Sequence, residues 1–295
     1  MKKLKSYVFL VLRIGVTAGI LYFLFKRCDF QRLWEIFKHI SVVPYLGALF
    51  SFLGFQALVA LRWKTICQSW GFDVDYMFCL KTYLMSFSLN TVMPGTVGGD
   101  FLRTVLLVKQ GLEWKKASLS VFYDRFFGFL GIFFLLGCFV PIWGGFLPKK
   151  FYYFLAILNS GILFSGILVG LFGKRLFRSE YFKPVVFPHN LKPLGLGILV
   201  QGLFVLQFFF LTRALHLKIK LIYLFVIIPV ISFVSALPIS ISGLGVREGS
   251  LSYFLHLLHY SIEYGISLGF LAYSLILICA LPGLFIYLKE KKLWK

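Results

Sequence analysis

The stretch "NTVMPGTVGGDFLRTVLL", residues 90–107, interrupts a hydrophobic run where smooth apolar sequence is expected. From position 94 to position 103 it places a proline, three glycines, an aspartate and an arginine. The meaning of this break depends on the medium around it. The chain of 295 residues is 59% hydrophobic and only 14% charged, with a mean hydropathy of +0.86. Soluble domains carry about a quarter charged residues, so this composition excludes an ordinary soluble domain. Several segments stay apolar for about 18 residues or more, enough to cross roughly 30 Å of hydrocarbon. The sequence predicts an integral membrane protein.

The N-terminal "MKKLKSYVFLVLRIGVTAGILYFLFKR" has an apolar stretch too long for a signal peptide and no A-x-A cleavage site, and it reads as a retained first span. The five cysteines show neither metal nor redox spacing. Continuous spans are expected at 7–25, 42–61, 118–141, 151–172, 194–212 and 266–288. Two further stretches, 77–109 and 221–258, are long enough to enter and leave the membrane but are broken in the middle. The first break is the opening motif and the second is "SALPISISGLGVREGSL", residues 235–251. Both run from apolar sequence into proline, small residues, glycines and then charge.

The order span, span, broken hairpin, span describes residues 1–141 and again 151–288. If each hairpin enters and leaves on one side, each half crosses three times, and the second half is inverted relative to the first. Pro/Gly-interrupted segments at matching positions of inverted repeats point to a transport site near the bilayer midplane. The expected fold is an all-α polytopic membrane protein, a single integral membrane domain over 1–295. It has about six spanning helices and two broken re-entrant hairpins in two inverted halves. Placing both termini in the cytoplasm puts more than half of the 31 basic residues on the inner side, which sets the expected orientation. The net charge of +20 has two readings: positive-inside loops, or attraction to anionic lipid. No stacking-aromatic motif accompanies it, so nucleic acid is not expected as a direct partner.

Backbone that leaves its helical hydrogen bonds at membrane depth costs several kcal/mol per bare group unless protein or water covers it. Pro94 cannot donate, while Gly98 and Gly99 allow tight turns and close approach. An apolar helix then restarts over 99–108 with Asp100 and Arg103 in its first turn. Its N-terminal dipole and bare N–H groups suit a phosphate or carboxylate, and Arg103 adds a bidentate grip. The second break repeats this with Pro238, Gly243 and Gly245, then Arg247 and Glu248. Asp124 and Arg125, in "SVFYDRFFGFLG", form a third ionisable pair inside a span.

Plainer readings stand beside these. Asp100–Arg103 and Arg247–Glu248 are also local pairs that neutralise one another, and Asp124–Arg125 is equally a structural ion pair. Asn90 is also a cap for freed backbone, and His256 and His259 read as interfacial. No Walker P-loop, G-x-G-x-x-G, G-x-S-x-G or H-E-x-x-H is present, so no catalytic residue, metal or cofactor is expected.

At "ALRWKTICQSWGF", "TYLMSFSLNTVMPGTVGGDFLRTVLLVKQ", "SVFYDRFFGFLG" and "LPISISGLGVREGSL" the chain resembles the lysylphosphatidylglycerol synthase transmembrane region family. These flippase-like domain proteins include the membrane part of the multiple peptide resistance factor. The resemblance covers essentially the whole chain and matches the motif at Asn90, Pro94, Gly98, Gly99, Arg103, Asp124, Arg125, Pro238, Gly243, Gly245, Arg247 and Glu248. It implies a bacterial or archaeal cytoplasmic (inner) membrane protein handling a membrane phospholipid or lipid-linked substrate. Relatives often carry Tyr-Arg in the last helix, whereas this chain has Tyr273 followed by Ser274.

Three functions follow from the resemblance. The first is a translocase for an anionic phospholipid or lipid-linked head group. The second is a membrane subunit of aminoacyl-phosphatidylglycerol synthesis, which requires a separate acyltransferase domain because none is expected in this sequence. The third is a scaffold for a membrane glycosyltransferase partner. On the first reading the chain is not an enzyme by itself.

Overall fold

A computed structural model describes residues 15–290, apart from 21, 25, 27, 93–96, 177–178 and 237–242. Among the described residues the chain is helical with no strand. The helices are α1 (Gly15–Leu24), α2 (Phe30–Lys38), α3 (Val42–Gln68), α4 (Tyr76–Val92), α5 (Val97–Lys109) and α6 (Trp114–Trp143). They continue with α7 (Lys149–Leu176), α8 (Leu191–Ala214), α9 (Leu221–Ala236), α10 (Val246–Leu257) and α11 (Ile262–Glu290). Five of them, α3, α6, α7, α8 and α11, are long and apolar enough to cross a membrane. The protein is an all-α, multi-pass membrane protein. The expected span 7–25 lies partly outside the described residues, and its described part is α1.

The two broken stretches become α4 with α5 and α9 with α10, each pair packed together. Their centres, with Pro94 and Pro238, lie outside the described residues. The segment 26–38, expected as a loop, instead contains α2. Asp29 starts it by accepting from the amides of Gln31 and Arg32, at 2.9 and 3.3 Å. Its outer face exposes Phe30 and Trp34 while Ile36 packs inward, the pattern of a helix lying in the interface.

The centre of the bundle is α3 against α8, with α6 also on α8. In lipid, apolar side chains gain little by leaving the bilayer, so close backbone packing decides which helices touch. At the α6–α8 crossing, a Cβ on Gly131 would stand 2.5 Å from the Gly197 carbonyl, and one on Gly197 2.5 Å from the Phe127 carbonyl. In α11, Gly283 receives the Leu84 carbonyl of α4, and the Ser88 hydroxyl donates to the Ala280 carbonyl beside it. Thus α4 rests on α11, and correspondingly α9 rests on α6.

Candidate functional site

The first hairpin is closed by a side chain. Asn90, at the end of α4, accepts from the Gly99 amide at 2.9 Å, which satisfies a bare donor in the first turn of α5. Gly99 also approaches Ser86 so closely that a Cβ would collide with its carbonyl and stand 2.5 Å from its hydroxyl. Gly98, one residue earlier, is half-buried. Gly99→Ala is therefore expected to destabilise the folded protein by about 1–3 kcal/mol, read as loss of melting temperature in detergent. An unchanged melting temperature would mean the hairpin opens freely.

From this closed end the charges reach across to α6 rather than to one another. Asp100 pairs with Arg125, at 2.6 Å from its Nη2 and 2.8 Å from its Nε. Arg103 donates to Asp124 at 2.9 Å, and the other Asp124 oxygen accepts from Arg62 of α3 at 2.8 Å. The local Asp100–Arg103 pair does not form. Arg62, Arg103 and Asp124 are each at most 4% exposed. The Arg103 guanidinium lies 4.2 Å from the Trp63 ring centre, and the indole N–H donates to Ser120. Nη1 of Arg62 and Nε of Arg103 are buried without partners. One carboxylate thus holds two guanidinium groups in a buried site, where charge persists only when paired.

The second hairpin uses glycine geometry. Gly243 and Gly245 have φ of +78° and +79°, a region that L side chains adopt with strain. Gly243→Ala is expected to cost about 1–2 kcal/mol on the same melting assay, and no loss would remove this backbone requirement. Beyond the turn, Glu248 accepts from the Gly245 amide at 2.7 Å, capping α10. Its other oxygen accepts from Arg247 at 2.7 and 3.0 Å, so this neighbouring pair does form. The Arg247 guanidinium lies 5.7 Å from the Tyr273 ring centre. Ser274, which follows Tyr273, shares a 2.7 Å hydrogen bond with Tyr45 of α3.

Between α6, α8 and the second hairpin is a cavity of about 360 Å³. Arg125 of α6 and Arg247 of α10 both line it, with Gln201, Ser232 and Ser235 as further polar groups against Phe204 and Phe208. Its size falls in the range of small-ligand pockets, about 300–1,000 Å³. Of the charged residues expected at the site, Arg125 and Arg247 reach its wall, while Asp100 and Glu248 hold them from behind. Arg103 and Asp124 do not line it. His256 and His259 are exposed and stand apart from the cavity. Among the described residues no three His, Cys, Asp or Glu side chains gather as a metal site.

Sequence reading missed Arg62, Trp63, Gln201, Ser232 and Ser235. Arg62 falls one residue past the span expected at 42–61, where a charge marks the end of apolar sequence. The serines and glutamine carry no charge to mark them in apolar sequence.

Residues 10–283, which hold both hairpins and the ion-paired α6, match the family described as lysylphosphatidylglycerol synthase TM region. The chain belongs to this family. It is also similar to a UPF0104 membrane protein of Archaeoglobus fulgidus, 24% identical over 116 residues. That match covers 39% of this chain, and the chain spans about a third of that relative's length. Family membership agrees with the resemblance carried by the motifs and gives this member a membrane-lipid-related role.

Proposed function

We propose that the protein is a lipid translocase that passes an anionic phospholipid or lipid-linked head group through the cavity between α6 and α10. The observation that carries this reading is the convergence of Arg125 and Arg247 on one cavity. Each guanidinium keeps its carboxylate on one side and has further N–H donors for a phosphate oxygen. The start of α10, which carries Arg247 to the cavity, favours the same anion. The motif residues Asn90, Gly99, Asp100, Arg103, Asp124, Gly243, Gly245 and Glu248 act by positioning these two arginines. Contacts of α4 with α11 and of α9 with α6 match an exchange of the halves 1–141 and 151–288, which supports an inverted two-fold arrangement.

The test is reconstitution of the purified chain in vesicles carrying a labelled phosphatidylglycerol, scored by loss of label from the inner leaflet. Translocation above protein-free vesicles supports the reading, and none overturns it. A second reading is favoured by the family's own description: the membrane part of lysylphosphatidylglycerol synthesis, working with a separate catalytic domain. Supplying lysyl-tRNA, phosphatidylglycerol and a separate lysyltransferase domain, with and without this chain, distinguishes them. Formation of lysyl lipid that depends on the chain promotes the second reading.

The proposed setting is a bacterial or archaeal cytoplasmic membrane with both termini inside. Four of the five cysteines are buried and Cys138 lies within span α6, so orientation needs introduced thiols. Lys150→Cys and Lys192→Cys occupy exposed positions at the start of α7 and the start of α8. An impermeant thiol reagent on intact cells is expected to label position 150 and spare 192, and the reverse pattern would invert the topology.

A further inference from the structure

A second hollow of about 470 Å³ lies between α6, α7 and the segment leading into α8. It shares no lining residue with the cavity of Arg125 and Arg247. Its walls are almost wholly apolar: Leu130 and Phe134 of α6, Ile167 and Leu171 of α7, then Phe187 and Leu191. Two features make it a built recess rather than a loose seam. The Phe187 amide donates to the Gly170 carbonyl at 3.1 Å, which fixes the segment against α7. Gly166, also on the wall, leaves its side open, since a Cβ there meets only one Leu130 methyl group at 3.4 Å. The rim faces outward, with Ile167, Leu171, Phe187 and Leu191 each at least half exposed. In a membrane-spanning bundle such a rim meets acyl chains.

One end of the recess is polar. Asn190 belongs to the wall, and its side-chain oxygen is buried without a partner. Arg175 stands one helical turn beyond Leu171, Lys192 adjoins Leu191, and Lys183 precedes Val185 by two residues; all three are exposed. The acid of this segment, Glu180, is engaged with Lys116 at 3.0 Å. The charge left at this end is positive. An apolar recess with a carboxamide at its neck and three cations at its mouth matches an acyl chain, a glycerol backbone and an anionic phosphate, in that order.

We infer that this recess holds one anionic diacyl phospholipid as a retained ligand, distinct from whatever passes the central cavity. Its acyl chain fills the space between α6 and α7, and its phosphate sits among Arg175, Lys183 and Lys192. A second copy of this chain is the less fitting occupant. The recess is walled by its own 179–190 segment, whereas a helix partner needs an open face.

The test is native mass spectrometry of the purified full chain in mild detergent, given equal phosphatidylglycerol and phosphatidylethanolamine. A one-to-one phosphatidylglycerol adduct is expected to persist in wild type and in Arg125→Gln. Gly166→Phe, which fills the recess, is expected to lose it. Lys192→Glu is expected to lower the preference for phosphatidylglycerol about tenfold. Retention of the adduct in folded Gly166→Phe combined with Arg125→Gln overturns the inference, as does conversion of a dimer to a monomer with lipid binding unchanged. If Gly166→Phe does not fold, Arg175→Glu and Lys192→Glu at exposed positions decide it, and an unchanged lipid preference in both overturns it. Because Arg125→Gln acts at the other cavity, failure of the translocase reading leaves this outcome separately readable.

Discussion

Arg125→Gln and Arg247→Gln, each reconstituted in vesicles, are expected to lose lipid translocation by about 10- to 150-fold while the protein stays folded. The magnitude follows from removing one charge-assisted hydrogen bond to a phosphate in a low-dielectric cavity, worth about 1.5–3 kcal/mol. Glutamine retains a donor but loses both the charge and the planar fork that fits a phosphate. Arg125 is the stronger test because its side chain is 42% exposed, leaving it accessible from the cavity while paired with Asp100. Arg247→Gln removes the partner of Glu248, which still accepts from the Gly245 amide. Melting temperatures of both variants in detergent separate lost transport from lost fold. Translocation within threefold of wild type in both would exclude this cavity as the route.

Asp124→Asn is expected to give the largest loss of stability, about 3–5 kcal/mol, because it leaves two buried guanidinium groups facing each other without a counter-charge. Asparagine keeps the shape of the side chain, so the loss reports charge rather than packing. Replacing the whole triad, with Asp124→Leu, Arg62→Met and Arg103→Met together, is expected to recover most of that stability. Charges removed together leave none of the three buried without a partner. Thermal unfolding in detergent measures both variants. A loss below about 1 kcal/mol for Asp124→Asn would mean that water enters the site.

The spans were legible because hydropathy is a property of composition along the chain, and a bilayer permits almost nothing but helices. Their ends were less so, and the reason is specific. The span expected at 42–61 runs on to Gln68, since Arg62 is cancelled by Asp124, 62 residues later, and does not end the helix. Likewise α6 begins before the expected position 118, because Lys115 and Lys116 find Tyr181 and Glu180 near the surface. Long-range pairing hides in one-dimensional charge patterns. The helix α2 was missed for a related reason: four basic residues in a short segment read as loop, although Asp29 and the apolar spacing around Trp34 encode a capped amphipathic helix.

The candidate site was legible as a set of residue types and not as a set of pairs. The glycine breaks, with acid and base beside each, singled out the residues that form the ion pairs of both hairpins. Sequence proximity favoured Asp100 with Arg103, but one faces Arg125 and the other Asp124 once α5 lies against α6. Only the Arg247–Glu248 pair follows sequence adjacency, because Glu248 is fixed from behind by its cap to Gly245.

The notch at Gly283 has a mechanical consequence. With the Leu84 carbonyl seated there and Ser88 bonded to Ala280, α4 is clasped to the last helix of the chain more firmly than chain order implies. Any large swing of residues 1–141 against residues 151–288 must first break that clasp. The halves of the sequence are therefore not the bodies of the structure: α4 leans on α11 while α5 is tied to α6 through Asp100 and Arg103, and α10 packs on α11 as well.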